Sequence, residues 1–387
     1  MNSKIKIARI ATVPNSLNCL HELLEEMEKE NFEIHLISNF SSNKDSRFDR
    51  YTKHHIEIER EISLKNDIKA TFQLFKIFRK EQFDIVHSHT PKAGLLVAIA
   101  SFLARIPIRI HTFTGQVWAN YSILKKIFFI MLDRIVSELN TINYVDGIYQ
   151  REFLIRWNAA RADKLKVIGK GSHYGLNINR FKADPAIVSE LREKLGLNDK
   201  FVIGYLGRLN KDKGISELIK AYEEIKKDNF KLLLVGPIEN IPEDEIEKIK
   251  NDKDIIWIDY VKDVPNYLSL MSVFVFPSKR EGFPLSVLEA SLIEIPVVVS
   301  HIYGNIDTVI DNETGFFFSS RDLVGLKEKI SYYSKNDKIR VQHGKNGKNY
   351  VISNFFSKPL IEMQIHDYLS IATKKTTIIL CKYFPIV

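Results

Sequence analysis

Two glutamates, Glu281 and Glu289, stand eight positions apart in the segment SKREGFPLSVLEASLIEIPVVVS, residues 278–300. The second lies among apolar residues that predict a helix, which is an expensive place for a carboxylate without a partner. A carboxylate near a helix N-terminus is also favourable by itself, so a simple dipole role is the alternative. The apolar flanks of Glu289 favour a buried polar partner or the hydroxyl groups of a ligand.

Basic residues follow another predicted strand. The strand FVIGYLG, 201–207, is followed by Arg208 and Lys213, five residues apart, with Gly207 and Gly214 beside them. Arginine offers a planar fork of donors and lysine a point charge, a combination that suits an anionic diphosphate. A solvated basic loop is an equally good interpretation of these residues alone.

The loop GFPL, 282–285, leads into a helix predicted to begin near Leu285 or Ser286. Free backbone N–H groups and the helix dipole favour an anion at such a helix start. Pro284 fits a helix entrance, where its missing N–H costs nothing. The loop therefore predicts an anion site close to the two glutamates.

Three histidines lie near the ends of predicted strands in the first half of the chain. His111 lies toward the end of the strand IRIHTFT, 108–114, where either a functional or a structural role fits. His87 and His89 are two residues apart in a strand and therefore point to the same side. No carboxylate stands near them in the sequence, so hydrogen bonding is favoured over a metal site.

Strand and helix patterns alternate along the chain. The first half predicts strands at 4–12, 32–38, 83–90 and 108–114, with helices at 17–30, 68–81 and 92–106. The second half predicts strands at 201–209, 230–236, 254–261, 273–278 and 296–300. Strands that alternate with helices indicate βαβ units and parallel sheets, and the Gly- and Asn-rich segment 168–181 is typical of a linker.

The fold class that follows is α/β, with two Rossmann-like, doubly wound domains facing a cleft and ligands expected at the carboxyl ends of the strands. A chain of 387 residues is long enough for two domains. We predict an N-terminal domain over 1–175 and a C-terminal domain over 176–355.

Composition narrows the class of protein. The chain is 45% apolar and 27% charged, as in a soluble globular protein, and its two cysteines suggest neither a disulfide framework nor a metal cluster. No signal peptide is predicted, and the apolar run 93–104 is too short to span a bilayer. The expected location is cytoplasmic.

The net charge of +8 could attract nucleic acid, an anionic membrane or phosphorylated small molecules. No nucleic-acid-binding signature is present, so nucleic acid is not an expected partner. The segment 117–136 combines aromatic residues with Lys125, Lys126 and Arg134, and it predicts either an interfacial helix on the inner face of the membrane or a core helix. No Gly-x-Gly-x-x-Gly follows the first strand and no Walker loop occurs, which disfavours a dinucleotide oxidoreductase and a P-loop protein.

Taken together, these segments resemble the retaining GT-B glycosyltransferases of glycosyltransferase family 4, also called glycosyl transferases group 1. The resemblance rests on the Glu-x7-Glu segment and on GYLGRLNKDKGISELIKAY, 204–222. DIVHSHTPKAGLLVAIASFLARIPIRIHTFTG, 84–115, and VIGKGSHYGLNINRF, 167–181, are similar to enzymes that assemble bacterial capsule or O-antigen repeats.

The resemblance implies a role for each donor-site residue. Arg208 and Lys213 would hold the diphosphate of the donor beside Gly207, and Glu289 would accept hydrogen bonds from the ribose hydroxyls. Glu281 would contact the donor sugar, and His111 the sugar or the reacting centre. The remaining implied donor contacts are the loop and helix-start residues Gly282, Phe283, Leu285 and Ser286 and, near the base, Tyr260 and Val261.

The resemblance also implies a helix at about 356–375 that crosses back to the first domain, and it implies a reaction. A sugar would pass from a nucleotide-sugar, expected to be a UDP-sugar, to a lipid-diphosphate-linked saccharide with retention of configuration and with neither metal nor cofactor. The acceptor would approach Asn15, Ser16, His89 and Lys92. The alternatives are a sugar-nucleotide epimerase on the same fold and a catalytically silent scaffold for a polysaccharide assembly complex.

Overall fold

The computed structural model describes residues 4–41, 46–59, 61–172, 174–179 and 181–383, with side chains through residue 373. The chain divides into two compact units. Unit 1 comprises Met1–Tyr174 together with Lys358–Val387, and unit 2 comprises Gly175–Ser357.

Unit 1 contains a seven-stranded parallel sheet in the order β3-β2-β1-β4-β5-β6-β7. Its strands are β1 Ile5–Ile10, β2 Phe32–Ser38, β3 Thr52–His55, β4 Ile85–His89, β5 Ile108–Phe113, β6 Ile142–Val145 and β7 Leu165–Val167. Its helices are α1 His21–Lys29, α2 Leu64–Glu81, α3 Pro91–Leu103, α4 Ile123–Leu139 and α5 Ile148–Arg156. Strand order reverses between β1 and β4, which is the usual ligand position in such sheets.

Both faces of this sheet are covered by apolar layers because alternate residues of a strand point to opposite sides. Ile7 of β1 packs in one layer with helices α1 and the chain's last helix, whereas Ala8 and Ile10 pack in the other with α2 and α3. Arg9 shares the face of Ile7 and is fully buried. A cationic side chain thus lies at a strand position where the alternation of inward- and outward-facing residues predicts an apolar one.

Unit 2 contains a six-stranded parallel sheet in the order β10-β9-β8-β11-β12-β13. Its strands are β8 Phe201–Leu206, β9 Phe230–Val235, β10 Ile255–Ile258, β11 Val273–Phe276, β12 Val297–Ser300 and β13 Gly315–Phe318. Its helices are α6 Pro185–Lys194, α7 Ile215–Ile225, α8 Glu243–Asn251, α9 Val264–Leu268, α10 Leu285–Leu292, α11 Tyr303–Ile306, α12 Leu323–Lys335 and α13 Asp337–Phe355. The prediction of two Rossmann-like α/β domains is confirmed.

The last helix, α14, runs from Ser357 to Tyr383 and leaves unit 2 for unit 1 at its first residue. Leu360, Ile361 and Ile365 on this helix join the apolar layer of unit 1. The predicted return of a C-terminal helix to the first domain is therefore correct.

One predicted helix is wrong at its start. The sequence pattern predicts a single helix over 17–30, but a 3₁₀ helix covers Pro14–Leu20 and α1 begins only at His21. Asn15, Ser16 and Asn18 are poor residues for an α-helix interior because their side chains compete for nearby backbone groups.

Candidate functional site

The carboxyl ends of β8 and β11 lie side by side because these two strands pair directly. The loop after β8 is held against the end of β11 by Gly214, whose φ is +72° and whose position leaves no room for a Cβ: the added atom would lie 2.2 Å from the Pro277 carbonyl oxygen. The Lys279 N–H also donates to the Asp212 carbonyl over 2.8 Å. The predicted diphosphate segment and the first glutamate are thereby brought together.

Lys213 and Glu281 form an ion pair in this position, between Nζ and Oε1. The two side chains are only 18% and 11% exposed, so the pair is largely withdrawn from water. Ser278 donates its hydroxyl to the same carboxylate oxygen, and the Lys213 ammonium lies 5.6 Å from the centre of the Phe276 ring. Glu281 Oε2 makes no hydrogen bond with the residues that the structure describes.

A buried network of serine hydroxyls and an asparagine amide holds the loop that carries Glu281, and the sequence pattern did not predict it. Ser300, at the end of β12, donates to the Ser278 carbonyl, and Asn305 donates to the Ser300 carbonyl over 2.8 Å. Gly304 packs so tightly that a Cβ would lie 2.4 Å from the Glu281 carbonyl oxygen. Small polar residues at or just beyond the end of a buried strand, as at Ser300 and Ser278, were the available signal.

Arg208 follows Gly207 at the end of β8 and is exposed. Its guanidinium forms an ion pair with Glu239 over 3.0 Å, with side chains that are 56% and 44% exposed. Exposed pairs of this kind contribute at most about 1 kcal/mol. Arg208 is therefore easily released to a stronger anion.

Glu289 lies in α10, whose first turn carries no side-chain cap. The residue is partly accessible, yet burial raises the pKa of its carboxyl to about 7. Among the described residues the carboxylate has neither a hydrogen-bond nor an ion-pair partner. The expected protein partner is thus missing, and the cost of desolvation is left without compensation from the chain.

The other predicted donor residues surround the start of α10 or follow β10. Gly282 is buried, Phe283 packs edge-on against Phe355, and Leu285 and Ser286 are the first two residues of the helix. Tyr260 and Val261 come shortly after β10, and Tyr260 is 75% exposed. Unit 2 therefore carries every donor-site residue predicted from the sequence except His111.

His111 belongs to unit 1 and is buried in β5. Its Nδ1 lies 2.9 Å from the Ser88 hydroxyl, and Gly94 of α3 leaves the space that the ring occupies. Burial lowers the pKa of His111 to about 3, so the imidazole is neutral at physiological pH. Its contact with a sugar stays a prediction.

His87 and His89 take part in a buried network of unit 1. His87 bonds the hydroxyls of Tyr368 and Thr112, each over 2.7 Å, and His89 Nε2 lies 2.8 Å from the Arg9 guanidinium. The preference for hydrogen bonding agrees with these contacts. Within the described ranges no group of three or more His, Cys, Asp or Glu side chains could hold a metal ion.

The predicted acceptor residues are not all equally available. Asn15 is exposed on the 3₁₀ helix and Ser16 is partly buried there. Lys92, in contrast, pairs with Asp67 over 2.7 Å, with side chains that are 14% and 18% exposed. The ammonium of Lys92 is therefore occupied by α2.

The segment 117–136 forms a short 3₁₀ helix and most of α4. Leu124 is 81% exposed, and Ile123, Phe128 and Met131 are more than half exposed. Trp118 is instead fully buried, with its ring N–H bonded to Asp133 over 2.7 Å, so it is not a surface anchor. In the part of the chain that the structure describes, every helix is too short or too polar to cross a bilayer.

Comparison with known proteins agrees with these features. Residues 188–350 match the family model Glycosyl transferases group 1, and residues 6–167 match Glycosyl transferase 4-like. The Staphylococcus aureus capsular polysaccharide biosynthesis glycosyltransferase CapM is 34% identical over 363 residues, which cover 92% of this chain and 95% of CapM.

Two further proteins extend the comparison. The Escherichia coli UDP-Gal:alpha-D-GlcNAc-diphosphoundecaprenol alpha-1,3-galactosyltransferase is 29% identical over 370 residues, covering 92% of this chain and 94% of that protein. The structure of Anabaena Alr3699/HepE in complex with UDP has a TM-score of 0.77 at 19% identity, covering 94% of this chain and 99% of that chain. The chain therefore belongs to the glycosyl transferases group 1 and is a GT-B glycosyltransferase that resembles enzymes of capsule and O-antigen biosynthesis.

Proposed function

We propose that the protein transfers a sugar from a UDP-sugar to a lipid-diphosphate-linked saccharide, with retention of configuration, in the biosynthesis of a bacterial surface polysaccharide. The observation that carries the proposal is Glu289, a desolvated carboxylate without a partner in the described structure, on the helix that begins just after the Lys213–Glu281 pair. Two adjacent ribose hydroxyls would supply the hydrogen bonds that the chain does not.

The diphosphate would bind beside this carboxylate. Lys213 is already held in place by Glu281, and Arg208 can exchange its weak pair with Glu239 for the more highly charged diphosphate. The uncapped start of α10 adds backbone N–H donors at Leu285 and Ser286. The free Glu281 Oε2 could accept a hydroxyl group of the donor sugar.

The same groups would assist the reaction. The bond between the anomeric carbon and the β-phosphate oxygen breaks, and negative charge develops on the departing UDP. Fixed cations and amides stabilise that charge without reorganisation during the reaction. The acceptor oxygen then attacks the face that the phosphate leaves, and its proton passes to a phosphate oxygen, so configuration is retained and no covalent enzyme intermediate forms.

The acceptor and the location of the protein are supported less directly. The Escherichia coli relative is named for a diphosphoundecaprenol-linked acceptor and for UDP-Gal, and an acceptor of this chemistry is anchored in a membrane. The exposed apolar residues of α4, next to Lys125 and Lys126, would suit the headgroup region of an anionic membrane. We therefore propose a cytoplasmic enzyme in peripheral contact with the inner membrane face through α4.

The donor half of the proposal is tested by calorimetry with UDP and GDP. The wild-type protein should bind UDP more tightly than GDP, and Glu289→Ala should lose roughly tenfold or more in UDP affinity, as expected for hydrogen bonds to a charged group. Unchanged UDP binding by Glu289→Ala would contradict the ribose assignment.

The reaction itself is tested with a panel of UDP-sugars and a synthetic acceptor, GlcNAc joined through a diphosphate to an undecyl chain. Mass spectrometry should detect a disaccharide lipid, and NMR coupling constants should show the anomeric configuration of the donor in the product. Epimerised donor formed without acceptor would instead support an epimerase. An inverted product would refute the retaining mechanism.

A further inference from the structure

Ser278 lies just beyond β11, and its side chain is fully buried. A hydroxyl group has one hydrogen to donate, but three acceptors surround the hydroxyl of Ser278. Its Oγ lies 3.2 Å from the Arg280 carbonyl oxygen and 3.3 Å from the Asp212 carbonyl oxygen, and its shortest contact is with Glu281 Oε1. An ionised carboxylate is the strongest acceptor of the three, so the hydrogen points to Glu281.

The loop over residues 278–281 is held in place by other contacts. The Lys279 N–H donates to the Asp212 carbonyl over 2.8 Å, and the Arg280 guanidinium donates to the Asp212 carboxylate over 3.1 Å. Neither contact uses the Ser278 hydroxyl group. Removal of this hydroxyl should therefore leave the backbone of the loop in place and change only the contacts of the Ser278 side chain.

The two carboxylate oxygens of Glu281 differ in their surroundings. Oε1 accepts from both the Lys213 ammonium and the Ser278 hydroxyl, and these two donors fill the positions that one carboxylate oxygen offers for hydrogen bonds. Oε2 makes no hydrogen bond with the described residues, and it is not sealed from solvent. The protein thus uses one oxygen of the carboxylate and leaves the other to a ligand.

Lys213 alone would not keep the Glu281 carboxylate in this orientation. An ammonium group acts as a point charge that either carboxylate oxygen can approach, and rotation about the last torsion of a glutamate side chain is soft. Without a second donor, both oxygens would close on the ammonium, and Oε2 would turn away from the ligand. The directional hydrogen bond from Ser278 to Oε1 opposes this rotation.

We propose that Ser278 is a positioning residue, which orients the Glu281 carboxylate so that Oε2 accepts a hydroxyl group of the donor sugar. The inference rests on the proposed function, in which Glu281 meets the sugar and Lys213 the diphosphate. An ionised carboxylate only accepts hydrogen bonds, so Oε2 suits a sugar hydroxyl and repels phosphate oxygens. The Ser278 hydroxyl therefore affects binding of the sugar and not binding of the nucleotide.

The test is calorimetry on the wild-type and Ser278→Ala proteins with UDP, UDP-glucose, UDP-galactose and UDP-N-acetylglucosamine. The UDP-sugar that the wild-type protein transfers should bind Ser278→Ala about tenfold more weakly, as for loss of a hydrogen bond to a charged group. The affinity for UDP should stay the same, because UDP has no sugar to contact Oε2. Ser291→Ala, at another buried serine of unit 2, is the matched control and should bind every ligand as the wild type does.

A double-mutant cycle shows whether Ser278 acts through Glu281. The double variant Ser278→Ala/Glu281→Ala should bind the UDP-sugar no more weakly than Glu281→Ala alone, because the carboxylate that Ser278 orients is already absent. An additive loss of affinity would show that Ser278 acts independently of Glu281, and it would overturn the inference.

A second substitution guards against a variant that does not fold. Ser278→Cys keeps a side chain of similar size but donates only weakly, so it should lose affinity for the UDP-sugar while it keeps its affinity for UDP. If neither Ser278→Ala nor Ser278→Cys folds, the hydroxyl group has a structural role and the inference is overturned.

The outcome also separates the inference from the proposed function. Wild-type affinity of Ser278→Ala for the UDP-sugar, or an equal loss of affinity for UDP and the UDP-sugar, overturns the inference alone when the wild-type protein transfers sugar normally. Failure of the wild-type protein to bind UDP or to glycosylate any acceptor lipid contradicts the proposed function, and with it the positioning role of Ser278.

Discussion

Replacement of Glu289 by glutamine should stabilise the protein and weaken its binding of UDP at the same time. Burial raises the pKa of Glu289 from its ordinary value of 4.5 to about 7. The folded protein therefore holds this proton more tightly than the unfolded chain does. The associated stability is present below pH 4.5 and is lost as the pH rises toward 7.

The size of this loss in stability follows from the difference between the pKa of Glu289 in the folded and the unfolded protein. A difference of about 2.5 pKa units corresponds to about 3 kcal/mol of folding free energy at a pH above both values. Glutamine cannot ionise, so the Glu289→Gln protein should be more stable than the wild type by up to about 3 kcal/mol at pH 8. The two proteins should differ little at pH 4.5.

As the pH rises, the affinity of the wild-type protein for UDP should increase while its folding stability decreases. Only the ionised carboxylate of Glu289 can accept charge-assisted hydrogen bonds from both ribose hydroxyls at once. The ionised fraction of a group with a pKa near 7 rises roughly tenfold between pH 6 and pH 8. The affinity of the wild-type protein for UDP should rise by about that factor over the same interval. The Glu289→Gln protein should bind UDP about ten- to a hundredfold more weakly at pH 8.

Urea denaturation at pH 5 and pH 8 measures the stability difference, and calorimetry with UDP at pH 6 and pH 8 measures the binding. Glu190→Gln, at an exposed glutamate of the same unit, is the control and should change neither quantity. A Glu289→Gln protein that is less stable at pH 8 than the wild type, or that keeps its UDP affinity, would refute the reasoning.

Three further predictions concern other parts of the molecule. Glu239→Gln should release Arg208 and increase UDP affinity up to about fivefold at low salt, and calorimetry that shows weaker binding would contradict a diphosphate role for Arg208. Gly304→Ala would bring a Cβ to 2.4 Å from the Glu281 carbonyl oxygen, so thermal or urea unfolding should show a loss of about 1–3 kcal/mol; wild-type stability would show that this contact is easily relaxed. Leu124→Asp, at the most exposed apolar residue of α4, should lower binding to vesicles of anionic phospholipid in sedimentation without changing the melting temperature, and wild-type binding would remove α4 from the membrane surface.

Much of the architecture could be predicted from the sequence because local residue patterns encode it. Regular strand and helix periods predicted the parallel sheets, and Gly207 and Gly214 marked the turns around Arg208 and Lys213. Even the return of α14 to unit 1 followed from the resemblance. The break in the predicted helix at 17–30 is the kind of local detail that a periodic pattern does not resolve, because Pro14 and the polar residues after it favour a tighter helix.

Contacts between residues that lie far apart in the chain could not be predicted from the sequence in the same way. The sequence suggested that Glu281 meets the sugar and Lys213 the phosphate, but the structure pairs these two side chains with each other. The supporting hydroxyls of Ser278 and Ser300 were also missed. Their contacts depend on the neighbouring positions of β11 and β12 in the sheet, and no local pattern specifies strand order.

The sequence by itself determined the fold class, the family and the residue types at each strand end, since these depend on periodicity and on motifs that are contiguous in the chain. Only the tertiary structure decided which charges are neutralised within the protein. It pairs Lys213 with Glu281, buries Arg9 among neutral groups, and leaves the carboxylate of Glu289 without a partner in the described residues. The physical reason is that desolvation and ion pairing depend on distances between segments that lie far apart in the chain, and folding alone sets those distances.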